Sequence, residues 1–104
     1  MVRVPASGRK HRPHAPDIIA IKKNRILFVE VKYRGKLRDI HIPINEWEYF
    51  IKLEDQTGGE VWLAVYYKPA KKLRFIRIHD YDDYSENYVR FSSRSILLKG
   101  KSLP

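Results

Sequence analysis

Asp17 opens the stretch Pro16-Asp17-Ile18-Ile19-Ala20, and thirteen residues later the chain reads Glu30-Val31-Lys32. Both groups border short β-branched apolar runs, the pattern of strands. Two carboxylates and one ammonium at the ends of adjacent strands suit the hydrolysis of a phosphodiester. That reaction needs a water nucleophile, neutralisation of charge at phosphorus and help for the leaving oxygen, much of which Mg²⁺ supplies. Mg²⁺ takes hard oxygen ligands and keeps several waters. Asp17 and Glu30 are the candidate carboxylate ligands, and the Val31 carbonyl is the candidate third. Glu30 and Lys32 share a strand face because side chains repeat every two residues. The Lys32 ammonium is then placed to orient the nucleophile or stabilise developing charge. Strand ends emerging into solvent also carry Glu and Lys, so the triplet alone is weak. Pro16-Asp17 at this distance upstream is what turns the reading toward chemistry.

The elements that must position these residues are legible from periodicity. Met1 to Val4 alternates and reads as a short strand, and residues 5–15, with Pro5, Gly8 and Pro13, read as a mobile basic loop. Ile18 to Ile21 is a strand, Lys23-Asn24-Arg25 a turn, and Ile26 to Tyr33 a strand apolar enough at its start to be covered on both faces. Ile40, Ile42 and Ile44 alternate around Pro43 as an edge strand or extended lead-in. Asn45 followed by Glu48 resembles a capping box and predicts a helix from about Glu46 to Thr57, stopped by Gly58-Gly59. Trp47, Phe50 and Ile51 form its apolar face and read as core or as part of a dimer interface. Val61 to Tyr67 and Leu73 to Ile78 predict a hairpin, Asp80 to Glu86 an acidic connection, Tyr88 to Phe91 a last strand, and residues 92–104 a frayed tail. The fold class is α/β: a central mixed sheet flanked by helix, in one domain spanning residues 1–104. One helix leaves much of a sheet face uncovered, so a further layer is expected.

The net charge is +9, from 21 Lys+Arg against 12 Asp+Glu, which favours a polyanionic partner. There is no cysteine, which removes any case for a disulfide scaffold. No apolar run approaches the roughly 20 residues of a membrane span, and the expected location is the cytoplasm. Arg9, Lys10, His11, Arg12 and His14 form the densest basic cluster and are the first candidates for DNA contact, with Lys36 and Arg38 extending that surface. His11 and His14 lack further zinc ligands nearby. Asp80, Asp82, Asp83 and Glu86 lack the spacing and glycine of a calcium loop. Lys68, Lys71 and Lys72 flank a turn and read as solvated turn residues.

Pro16-Asp17 with Glu30-Val31-Lys32 resembles the PD-(D/E)xK nuclease motif. More narrowly, Arg3-Val4-Pro5-Ala6-Ser7-Gly8, then Pro16 to Ala20, then Ile26 to Lys32, resembles the archaeal Holliday-junction resolvases. The similarity continues through Gly58-Gly59, Leu73 to Ile76 and Asn87-Tyr88-Val89. The resemblance implies a restriction-endonuclease-like fold and a homodimer that nicks four-way DNA junctions with Mg²⁺, for which Mn²⁺ substitutes, in recombination and repair. It matches Asp17 and Glu30 to metal carboxylates, Lys32 to the catalytic lysine, Arg3 and Ser7 to positions supporting catalysis, and Gly8 to His14 to a loop approaching DNA. Members of that family begin with a helix carrying a glutamate near the metal, whereas this sequence starts at the first strand, so that helix is expected to be missing. The alternative is a DNA- or junction-binding homologue without catalysis.

Overall fold

The computed structural model describes the backbone of residues 2–5 and the whole of residues 15–104. Five strands form the main sheet in the order β1-β2-β3-β5-β6: β1 (Val2–Pro5), β2 (Ile18–Lys22), β3 (Arg25–Arg34), β5 (Glu60–Tyr67) and β6 (Lys72–Arg77). Only β3 and β5 run parallel, and the other pairs are antiparallel. A parallel pair needs a crossover. Here it is built from β4 (Ile40–Pro43) and α1 (Ile44–Thr57). Pro5 ends β1 on the edge strand of the sheet, a place where proline is tolerated.

The two faces of the sheet differ. Phe28, Val61, Leu63, Val65, Tyr67 and Ile76 pack with Phe50 of α1 into the main core. A second sheet of β4, β8 (Tyr88–Phe91) and β7 (Asp83–Tyr84) adds Ile40, Ile42, Val89 and Phe91 to the same core. The other face holds a smaller cluster of Ala20, Leu27, Val29, Trp62 and Ala64. It carries an apolar hollow of about 290 Å³, partly roofed by Leu103 and Pro104. The expectation of an uncovered sheet face thus has a structural counterpart.

Three expectations are corrected. Asn45 does not cap α1, because the helix begins at Ile44 with Pro43 at the cap and no capping side chain. The Ile44 N–H instead donates to the Asn87 carbonyl at 2.9 Å, so a neighbouring chain segment does the work of a cap. The acidic connection is not featureless: it contains β7, and Asp83 holds Arg90 of β8 in a two-bond pair. The tail does not fray. Ser93–Lys99 is a helix, α2, capped by the Ser92 hydroxyl, which accepts from the Ser95 N–H at 3.1 Å. Ile96 is fully buried, and Lys101 bridges Phe75 through two main-chain bonds. The charges of Arg94, Lys99 and Lys101 disguise an Ile96-Leu97-Leu98 apolar run one turn past a serine cap.

Candidate active site

In β3, even-numbered residues face α1, as Phe28 shows by its place in the main core. Glu30 and Lys32 follow on that face. The β2–β3 register pairs Ile18 with Val29, so one step further sets Asp17 opposite Glu30. The Val31 N–H donates to Asp17 Oδ2 at 2.8 Å, which ties the first carboxylate to the strand bearing the second. In an extended strand the N–H and C=O of one residue leave on the same edge. The Val31 carbonyl therefore leaves β3 on the edge where Asp17 sits. Lys32 Nζ lies 3.3 Å from Glu30 Oε2.

Glu30 is the strained member. Its side chain is 12% exposed, and among the described residues its buried Oε1 finds no hydrogen-bond partner. Burial first, and then the charge of Asp17, push its carboxyl up to about 7; Lys32 opposes the rise. Glu46 adds to it. That residue lies four positions before Phe50, the fully buried residue of α1, and so on the stripe of the helix that faces the sheet. Glu54, eight positions on, occupies the same stripe but is satisfied by the Val61 N–H, Arg77 and His79. Among the described residues the Glu46 carboxylate has no such ion pair. In sequence, Glu46 marks only the start of a helix. The available signal was a glutamate at a sheet-facing position one turn before a core phenylalanine.

A hard divalent cation fits this donor set. An acidic oxygen lies buried with no partner among the described residues, a second carboxylate is fixed beside it, and a main-chain carbonyl leaves on the same edge. Among the described residues no three His, Cys, Asp or Glu side chains converge closely enough to hold a metal by themselves. Two carboxylates, the Val31 carbonyl and water are the set Mg²⁺ accepts.

The other predicted residues fall into three groups. Arg3 is in β1, paired with Ala20. Ser7 and the basic cluster Arg9, Lys10, His11, Arg12 and His14 lie outside the described residues. Lys36 and Arg38 are exposed on the segment after β3, and the Tyr67 hydroxyl donates to the Arg38 carbonyl at 2.6 Å.

A mixed sheet carrying paired carboxylates and a lysine at the end of a parallel strand defines a nuclease-like α/β domain. Residues 1–100 match the family model described as archaeal Holliday junction resolvase (Hjc), and the chain belongs to that family. It is 42% identical over 77 residues to a crossover junction endodeoxyribonuclease Hjc of Sulfurisphaera tokodaii, covering 74% of this chain and 52% of that protein. It is 35% identical over 80 residues to the protein of the same name from Sulfolobus acidocaldarius, covering 77% and 54%. The chain thus spans about half the length of the curated relatives it matches. The crystal structure of Archaeoglobus fulgidus Hjc, a Holliday junction resolvase, superposes with a TM-score of 0.81 at 24% identity, covering 98% of this chain and 80% of that one. The fold expected from the sequence is therefore the fold found.

Proposed function

We propose that this chain is an endodeoxyribonuclease that nicks four-way DNA junctions with a divalent cation, Mg²⁺ or Mn²⁺, as a homodimer acting in recombination and repair. The observation that carries the reading is the convergence of Asp17, Glu30 and Lys32 near the end of β3, with Glu30 Oε1 buried and unsatisfied among the described residues. The curated relatives bear the name of that activity. The described residues include no helix long and apolar enough to cross a membrane.

Asp17, Glu30 and the Val31 carbonyl would hold the cation, which would supply charge neutralisation at the scissile phosphate and acidify a water. The Val31 amide keeps Asp17 turned toward Glu30. Lys32 balances the charge of Glu30 and would present an ammonium donor to the attacking water or the phosphate oxygens. Arg3 and Ser7 support this site from β1 and the following segment, and the basic residues 9–14 with Lys36 and Arg38 contact phosphates. A two-fold dimer places two such sites on a substrate with matching symmetry.

The test is a gel assay on a synthetic four-way junction and a linear duplex of the same sequence, with Mg²⁺ and with chelator. Paired nicks in opposed strands, dependent on Mg²⁺ and absent from the linear duplex, are expected. Binding without cutting would favour the non-catalytic alternative. Cutting that survives chelation would overturn the assignment.

A further inference from the structure

Two segments remote in sequence meet beyond the carboxyl ends of the parallel strands. The β3–β5 register ends with Arg34 beside Tyr67, and the Lys68 N–H donates to the Arg34 carbonyl at 3.0 Å. The Tyr67 hydroxyl pins the segment after β3 by its bond to the Arg38 carbonyl. The β5–β6 turn is closed by the Lys71 N–H on the Lys68 carbonyl at 3.1 Å. Arg34, Lys36 and Arg38 on one segment thus adjoin Lys68, Lys71 and Lys72 on the other. Neither segment contains an acidic residue, and five of the six cations are exposed. Among the described residues the ion pairs use Arg25, Lys32, Arg77, His79 and Arg90, and none of these six. The nearest carboxylate in sequence, Asp39, is taken by Arg90 at 3.0 Å.

Six like charges held together without counter-ions repel one another, and a polyanion relieves the repulsion. Position adds to composition. Arg34 is two residues past Lys32, about 7 Å along the strand at roughly 3.3 Å per residue. The carboxyl ends of parallel strands are also where α/β sheets receive ligands. We infer that the β5–β6 turn and the segment after β3 form one basic ridge that grips the sugar-phosphate backbone of a duplex DNA arm next to the active site. The inference rests on the nuclease reading of that site. It assigns DNA contact to Lys68, Lys71 and Lys72, which in sequence are ordinary turn lysines. The backbone of duplex DNA advances 3.4 Å per nucleotide along each strand, so the ridge meets phosphates starting about two nucleotides from the cut. Lysines and arginines on turns read charge and not base sequence, so the contact is the same on a junction arm and on a plain duplex.

The experiment measures binding of the full chain to a four-way junction and to a linear duplex of equal arm sequence across a salt series. The variant carries Lys68→Gln, Lys71→Gly and Lys72→Gln. Glycine is chosen at residue 71 because Lys71 has φ 51°, which glycine adopts without strain. A control removes the same charge elsewhere, with Lys52→Gln, Arg94→Gln and Lys99→Gln. The ridge predicts that its variant binds both DNAs about tenfold or more weakly at 0.1 M salt. It also predicts a log–log salt slope shallower by about 2 to 3, since each lost phosphate contact removes about 0.9. The control variant keeps the wild-type slope, and thermal unfolding shows all three proteins folded. Wild-type affinity and slope in the ridge variant, or an equal loss in the control, would overturn the inference. Duplex binding that depends on the ridge, without any junction cutting, would sink the resolvase reading and leave the ridge standing. A wild-type chain that binds neither DNA would sink both.

Discussion

The Asp17 carboxylate accepts the Val31 amide proton at 2.8 Å. This bond ties the carboxylate just before β2 to the strand that carries Glu30, whose pKa is raised by burial first and then by the Asp17 charge. Asp17→Asn retains an acceptor for the Val31 N–H and removes only the charge. We expect this variant to fold and bind a junction as the wild type does, while Mg²⁺-dependent cutting falls by roughly 1000-fold, the several kcal/mol that metal-assisted charge stabilisation supplies. Glu30→Gln and Lys32→Met should do the same. Full cutting by any of the three, measured on the same gel as binding, would remove that residue from the chemistry.

The Glu30 carboxyl, pushed up to about 7, sets a pH dependence for cation binding. Below pH 7 the cation must displace a proton, and above it the carboxylate is already free. Apparent affinity for Mn²⁺, followed by calorimetry, should rise about tenfold per pH unit up to about 7 and then level. Glu46→Gln removes a negative charge that raises this pKa. The plateau should then begin at lower pH. An affinity flat from pH 5 to 8 would show that Glu30 does not bind the cation.

Much of this site was legible because strands announce themselves by apolar runs, and Asp17 and Glu30-Val31-Lys32 sit at the borders of two of them. Their sharing of a face followed from the two-residue period. What stayed hidden depends on contacts between distant segments. Glu46 looks like any first-turn glutamate until α1 is laid on the sheet with Phe50 inward. Lys68 and Arg34 are 34 residues apart and become neighbours only through the parallel register. The helix α2 is hidden in sequence because its apolar run, Ile96-Leu97-Leu98, is short and lies among serines and basic residues, with Ile96 its one fully buried side chain. The second sheet was missed because β7 has only two residues, too few for any periodicity.

Arg25 and Glu60 clamp the start of β3 to the start of β5 through two bonds of 2.7 and 2.8 Å. The Arg25 hydrogen bonds hold the Glu60 carboxyl down at about 2, against burial, which acts the other way. A carboxyl whose folded pKa lies below its ordinary value near 4.5 stabilises the fold above pH 4.5. That contribution is lost as pH falls toward 2. Glu60→Gln should therefore unfold at a lower temperature than wild type at pH 7, with the gap closing by pH 2. A gap that widens in acid would contradict this assignment.

Ile96 tests whether the chain end is part of the domain. It is fully buried in the main core alongside Phe91 and Val89. Ile96→Ala should destabilise the protein by about 2–4 kcal/mol in denaturant unfolding, as expected for a core truncation that leaves a cavity. An end that was merely frayed would yield a change near zero.

Gly58 and Gly59 stand together after α1 but answer to different constraints. Gly58 has φ 72° and open space where a Cβ would go, so Gly58→Ala meets only the left-handed penalty, about 1–2 kcal/mol. A Cβ on Gly59 would lie 2.6 Å from Phe28 Cε2 and 3.0 Å from the Ile26 carbonyl oxygen. Both obstacles belong to β3, and Phe28 is a buried ring in the core that cannot swing aside. Gly59→Ala should therefore cost about 1–3 kcal/mol through forced repacking. It should also push on the strand two residues before Glu30, lowering Mn²⁺ affinity as well as stability, whereas Gly58→Ala leaves Mn²⁺ affinity unchanged. If Gly58→Ala proved the variant that weakened metal binding, the packing of the glycine pair against the site strand would be misassigned.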